Sequence, residues 1–174
     1  MLILEHQFTY SVPIAKNRQP SVKLVKKNAI LTYYWVVFES NYPGPKTVEL
    51  KTCSNKRIAL VNARFAKDIH IKFPFGAGET GNPLEPFITL AANDLKTGTK
   101  IYLKEFDGLR LPINNKIHNG CFKIGDTGFS LGKNHIDVFV LKEKFYEKID
   151  AKINRERINV VTKDCKLLNY GPFK

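Results

Sequence analysis

A mainly β domain is what this sequence predicts, and three observations carry the prediction. Short runs of β-branched and aromatic residues recur along the chain, and Gly, Pro and Asn clusters punctuate them. Val, Ile, Tyr and Phe are frequent while Met occurs once, a mix that favours strands over a helical bundle. The 174 residues are 43% hydrophobic, enough to bury a core and to exclude a disordered tail.

Taken in order, residues 1–28 are mixed, with Pro13 and Pro20, and read as an N-terminal strand and loop. Residues 29–38 form an apolar run between Asn28 and the Tyr42-Pro-Gly-Pro45 turn. Residues 47–51 and 57–61 are two short strands around Ser54-Asn55-Lys56, spaced as a hairpin, and residues 62–69 make a helical turn. Residues 73–87 carry three glycines and three prolines, the composition of a long loop, and long ordered loops are often functional. Strands follow at 87–92, 100–104, 120–124 and 136–141, then an amphipathic helix at 142–151 with Phe145 and Ile149 four apart, and a last strand at 157–162. No repeat or linker divides residues 29–174, which read as one domain. The pattern suits a closed barrel or a sandwich.

The formal net charge is +12, which favours an anionic partner: nucleic acid, a membrane surface or an anionic wall polymer. The lysines are spread along the chain and do not interleave with aromatics, which argues against nucleic acid. No segment approaches the roughly 20 apolar residues of a membrane span. The N-terminal residues lack the basic region, apolar stretch and cleavage site of a signal peptide, so the chain either begins after a removed signal or is made without one. Cys53, Cys121 and Cys165 form no CxxC pair, which excludes the usual structural zinc site. One disulfide is possible, Cys53–Cys121 or Cys121–Cys165, and three free thiols are the alternative. No phosphate loop follows Gly76, Gly78 and Gly81, and no cofactor is expected.

The chemistry points to residues 120–140. Asp126 ends a strand beside Gly125, and Asp137 interrupts the apolar run 136–140. On a period of two, Ile136, Val138 and Val140 share one face, and Asp137 and Phe139 the other. An acid in such a strand needs exposure, a partner or a raised pKa, and a raised pKa is what protonating a glycosidic oxygen requires. An edge-strand charge or a loop cap is the structural alternative. His118 and His135 are weak zinc candidates, Cys121 with either His a weak thiol dyad, and Glu79 a loop acid that can line a cleft.

The stretch Asp126-Thr-Gly-Phe-Ser-Leu-Gly-Lys-Asn-His-Ile-Asp137 resembles the end of the 3D domain, a family named for three aspartates. That family includes the barrel of membrane-bound lytic transglycosylase A and wall-remodelling proteins related to resuscitation factors. His135-Ile-Asp137 also resembles the His-Phe-Asp of expansins and family 45 glycoside hydrolases. Thr89-Leu-Ala-Ala-Asn-Asp94 and Gly98-Thr-Lys-Ile-Tyr102 match the upstream half more weakly, with Asn93 or Asp94 in place of the first family aspartate. The resemblance covers residues 83–141. It implies a six-stranded double-psi β-barrel with extra N-terminal strands and one or two short helices. It further implies cleavage of peptidoglycan glycan strands to 1,6-anhydro ends, with Asp137 as acid and then base and Asp126 supporting it. Thr127, Lys133 and His135 would line the cleft, and Tyr102 and Phe129 would stack on sugars. Such a protein acts on peptidoglycan or another wall polysaccharide in the periplasm or outside the cell, and as an antibacterial effector it would have an immunity partner. The alternative is an expansin-like, non-catalytic wall-binding module.

Overall fold

In the computed structural model, residues 22–35, 49–51, 57–59, 75–78, 81–128, 131–154 and 156–172 are described. Strand β1 spans Lys23–Trp35, β2 Glu49–Lys51, β3 Arg57–Ala59, β4 Thr89–Ala91, β5 Lys100–Arg110, β6 Ile117–Asp126 and β7 His135–Leu141. Helix α1, Glu143–Ile153, and strand β8, Arg157–Thr162, complete the described elements. β2 and β3 pair antiparallel, as the hairpin spacing predicts. The other six strands close into a barrel in the order β1-β7-β4-β6-β5-β8, so the mainly β, closed-barrel expectation stands.

The connectivity repeats itself. β1 runs parallel to β7 as β6 runs parallel to β4, and β1 lies antiparallel to β8 as β6 does to β5. The remaining pairs, β4–β7 and β5–β8, are antiparallel, and each joins a strand to its own equivalent. The triplets β1-β4-β5 and β6-β7-β8 are thus interlocked equivalents. The first strand of each lies beside the second strand of the other, the arrangement the double-psi expectation requires.

Alternation of side chains along the strands fills the barrel. Leu31 aligns with Ile136, Leu90 with both Val138 and Ile124, and Ile101 with Phe122. All are buried in one continuous core, each contributing about 1.5–3 kcal/mol relative to exposure. Phe145 and Ile149, the two predicted apolar positions of α1, are its buried residues, and Asn154 ends the helix in the left-handed region. The helical turn expected at 62–69 lies outside the described residues.

Strand ends differ from the sequence reading for a common reason. Asn28, read as a boundary, has φ 55° inside β1. The strand bends there and exchanges one neighbour for another, pairing with β8 through residues 23–30 and with β7 through 30–35. Hence the expected break at residue 28 falls within a barrel strand. Gly108 and Gly120, at φ 82° and 73°, likewise lie within β5 and β6 instead of ending them. A side chain at Gly120 would meet the Tyr102 ring at 2.7 Å.

The C-terminal segment, residues 163–172, is tied to the barrel by a Cys121–Cys165 disulfide, which selects one of the two pairings left open. Cys53 lies outside the described residues. The disulfide also removes Cys121 from any thiol dyad. Tyr170 stacks on His118 at 4.7 Å, and its hydroxyl donates to Asn119 Oδ1 at 2.9 Å. His118 is fully buried: Nδ1 accepts from Gly120 N–H at 2.8 Å and Nε2 donates to the Phe87 carbonyl at 2.8 Å. Both ring nitrogens are occupied by backbone, so His118 is a structural residue and not a metal ligand.

Replacing Cys121 and Cys165 together by Ser is expected to lower unfolding stability by about 2–5 kcal/mol. Urea titration with and without reductant checks this; a wild-type midpoint indifferent to reductant would contradict the tether.

Candidate two-carboxylate site

The site is set by β4, which lies between the two acid-bearing strands. Ala91 aligns with Asp137 on the antiparallel side and with Asp126 on the parallel side. The register slips between Leu90 and Ala91, because Leu90 faces Ile124 and Ala91 faces Asp126. Gly125 is the extra residue. This bulge stops Asp126 from following Ile124 into the barrel and stands it beside Ala91 on the outer face, together with Asp137. The methyl of Ala91 is all that β4 places between the two carboxylates.

β1 supplies two partners from the other side of β7. Thr32 aligns with Asp137 and Tyr34 with Phe139, so both project onto the acid-bearing face. Thr32 Oγ1 donates to Asp137 Oδ1 at 2.9 Å and lies 2.7 Å from His135 Nε2. The Tyr34 hydroxyl donates to Asp126 Oδ2 at 3.0 Å, and Thr127 N–H donates to Asp126 Oδ1 at 2.8 Å. Burial raises the Tyr34 phenol far above its ordinary range, and the charges of Asp126 and Asp137 raise it further.

The two acids differ in setting. Asp126 is buried, with both oxygens hydrogen-bonded. Asp137 is half-buried, and its carboxyl is pushed up to about 6. Burial is the main cause; the Thr32 hydrogen bond opposes it and the nearby Asp126 charge reinforces it. Thus Asp137 holds a proton over part of the neutral range, which a solvated carboxylate does not.

The glycine-rich loop is part of this arrangement. Ala77 bridges Pro83, and Gly78 N–H donates to the Asn82 carbonyl at 2.9 Å, so residues 76–78 lie back against 81–84. A Cβ on Gly78 would lie 2.6 Å from Asp126 Oδ1 and 2.9 Å from the Gly125 carbonyl. The loop therefore covers Asp126 with bare backbone. Glu79 of this loop lies outside the described residues.

Asn93 and Asp94, the two candidates for the first family aspartate, hold the loop between β6 and β7. Asn93 Nδ2 donates to the carbonyls of Gly128 and Leu131 at 2.7 and 2.8 Å, and its Oδ1 accepts from Gly128 N–H at 3.0 Å. Asp94 pairs with Lys26 and accepts from Asn134 N–H at 3.2 Å. Neither makes a hydrogen bond to Asp126 or Asp137 among the contacts described.

The other sequence-predicted residues divide. Thr127 and His135 join the site through the bonds above, and Lys133 is exposed in the connecting loop. Phe129 lies outside the described residues. Tyr102 is not brought to the pair: it aligns with Cys121, five residues along β6 from Asp126, roughly 17 Å away at the rise of a strand. Its hydroxyl donates to Asp107 at 2.6 Å and Lys163 lies 4.2 Å over its ring. Sequence reasoning missed Thr32, Tyr34 and Gly78. The available signal for the first two was their shared parity in the 29–38 run.

No protein-family model matches this chain, and no curated protein or solved structure matches it either. The molecule is defined by its own geometry, a closed six-stranded mixed barrel carrying one paired-carboxylate site on its outer face.

Two outcomes follow from this geometry. Because the Asp137 pKa is raised on folding, from 3.8 to about 6, its contribution favours the fold below pH 4 and is lost as pH rises through 6. Burial lowers His118 from 6.5 to about 4, so its contribution is present above 6.5 and lost as pH falls through 4. The two oppose each other over nearly the same window. Asp137→Asn should therefore be about 2–3 kcal/mol more stable than wild type at pH 7 and lose that advantage towards pH 4. Urea midpoints across pH 4–7 check this; a less stable variant at pH 7 would contradict it. Gly78→Ala should shift the loop or Asp126, costing about 1–3 kcal/mol, whereas Gly81→Ala meets no neighbour and pays only for its positive φ. Thermal melts of the two variants compare them.

Proposed function

We propose that this protein cleaves the glycan strands of peptidoglycan by a lytic-transglycosylase-like reaction, with Asp137 as its single acid and base. The supporting observation is a half-buried carboxyl raised to about 6, hydrogen-bonded through one oxygen to Thr32 and set beside a second, fully bonded carboxylate. In this reading Asp137 protonates the oxygen between N-acetylmuramic acid and N-acetylglucosamine. The C1–O bond breaks, and Asp137, now a carboxylate, takes the proton of the muramyl C6 hydroxyl as that oxygen attacks C1. Asp126 stabilises positive charge at the anomeric carbon. The 3D-domain resemblance of residues 126–137 supports the same roles.

Two further features suit a wall substrate. The net charge of +12 attracts a polyanionic polymer, and binding should weaken as salt rises. The Cys121–Cys165 disulfide suits an oxidising compartment, consistent with action in the periplasm or outside the cell. An effector of this kind would meet an immunity protein in the producing cell.

An expansin-like binder is the second reading. The observation favouring it is that Asp126 is enclosed by Tyr34, Thr127 and the Gly78 backbone, which leaves Asp137 as the more accessible acid. Incubation with purified sacculi separates the two. Cleavage predicts falling turbidity and anhydro-muropeptides by mass spectrometry, with Asp137→Asn reducing release by about 10²-fold or more while still binding. Binding without release would support the expansin-like reading, and reducing ends would indicate hydrolysis.

A further inference from the structure

His135 opens β7 two residues before Asp137, and the two side chains meet only through Thr32. The threonine hydroxyl has one proton. It donates that proton to Asp137 Oδ1 at 2.9 Å, so its contact with His135 Nε2 at 2.7 Å requires the ring to be the donor. The alternative acceptor for the hydroxyl is the Ile136 carbonyl, 3.5 Å away. We propose that His135 is a positioning residue for Asp137: by donating Nε2–H to Thr32 it commits the threonine proton to Asp137 Oδ1 and leaves Oδ2 as the oxygen that carries the acid proton. This rests on the reading of Asp137 as the acid.

The surroundings disfavour the charged ring. Burial first, and the Lys26 ammonium second, hold His135 below the usual imidazole range. Lys26 is itself almost fully buried and paired with Asp94, which its hydrogen bonds to Lys26 and Asn134 hold below the usual carboxylate range despite the cost of burial. The charged and titratable groups facing the Thr32 junction are therefore Lys26 and Tyr34 from β1, Asp126 from β6, His135 and Asp137 from β7, and Asp94 after β4. With Nε2 protonated and the ring neutral, Nδ1 is bare. With the other tautomer, Thr32 would turn its proton to the ring, and Asp137 would lose its donor and carry its own proton on Oδ1. The histidine tautomer thus selects the protonated oxygen of an acid it does not touch.

The test combines one measurement on the wild type with four variants. Nitrogen-15 spectra of the intact protein at pH 7 should show neutral His135 protonated at Nε2; a ring protonated at Nδ1 overturns the proposal. Carbon-13 titration of the Asp137 carboxyl should give a midpoint raised by about one unit in Thr32→Val and unchanged in Thr32→Ser. His135→Phe should raise it by about half a unit, and His135→Gln, whose amide can donate in place of Nε2–H, should restore it. Midpoints unchanged by Thr32→Val and His135→Phe overturn the proposal. These spectra need no substrate, so they stand apart from the sacculus assay. A wild type that releases nothing but titrates as described refutes the cleavage reading alone. A wild type that cleaves while Asp137 ignores His135 refutes the positioning role alone.

Discussion

The shortest barrel strand is the one on which the molecule depends. β4 is three residues long, all of them buried, and it joins the two interlocked halves by pairing antiparallel with β7 while lying parallel to β6. Its central Leu90 serves the core, between Ile124 and Val138. Its last residue serves the site, because Ala91 is the shared neighbour of Asp126 and Asp137. A barrel closed through so short a strand has little freedom of register. A slip of β4 by one residue would exchange Leu90 with Ala91, setting a leucine between the two acids and an alanine in the core.

The chemistry of the site comes from unequal treatment of two similar groups. Asp126 receives a phenol hydroxyl on one oxygen and a backbone N–H on the other. Asp137 receives one threonine hydroxyl, partial burial and the field of its neighbour. The fold gives Asp126 a donor on each oxygen and Asp137 the burial that raises it. Stability is lost at Asp137 and recovered in the core, which is the usual balance at a functional site.

Much of the framework was legible. The apolar runs became strands, Phe145 and Ile149 became the buried stripe of α1, and Asp137 was recognisable because it breaks an apolar alternation. Less legible were features that depend on pairing between distant segments. Asn28, Gly108 and Gly120 look like terminators in one dimension, yet each is a bend within a continuing strand, since the hydrogen bonds that carry the strand through come from elsewhere in the chain. The resemblance set Tyr102 to stack on sugars, but barrel closure places it well along β6 from Asp126 and gives its ring and hydroxyl other partners. Thr32 and Tyr34 belong to a run that reads as core, and only the parallel pairing with β7 sets their alternate face beside the two acids.

The departure from the family-like pattern at Asn93 gains a physical meaning here. An amide supplies both donors and an acceptor, and Asn93 uses all of these on the backbone of Gly128 and Leu131. A carboxylate at that position is an acceptor only and would leave those two carbonyls without their partner. The residue therefore works as a clamp on the loop that carries the chain from Asp126 to Asp137, and it does so without adding a third negative charge near a pair whose repulsion already raises Asp137. Of the two acids on this face, Asp137 is the one whose carboxyl is raised, by burial above all. Thr32 binds the acid, Asn93 holds its loop, and His135 stands behind the threonine.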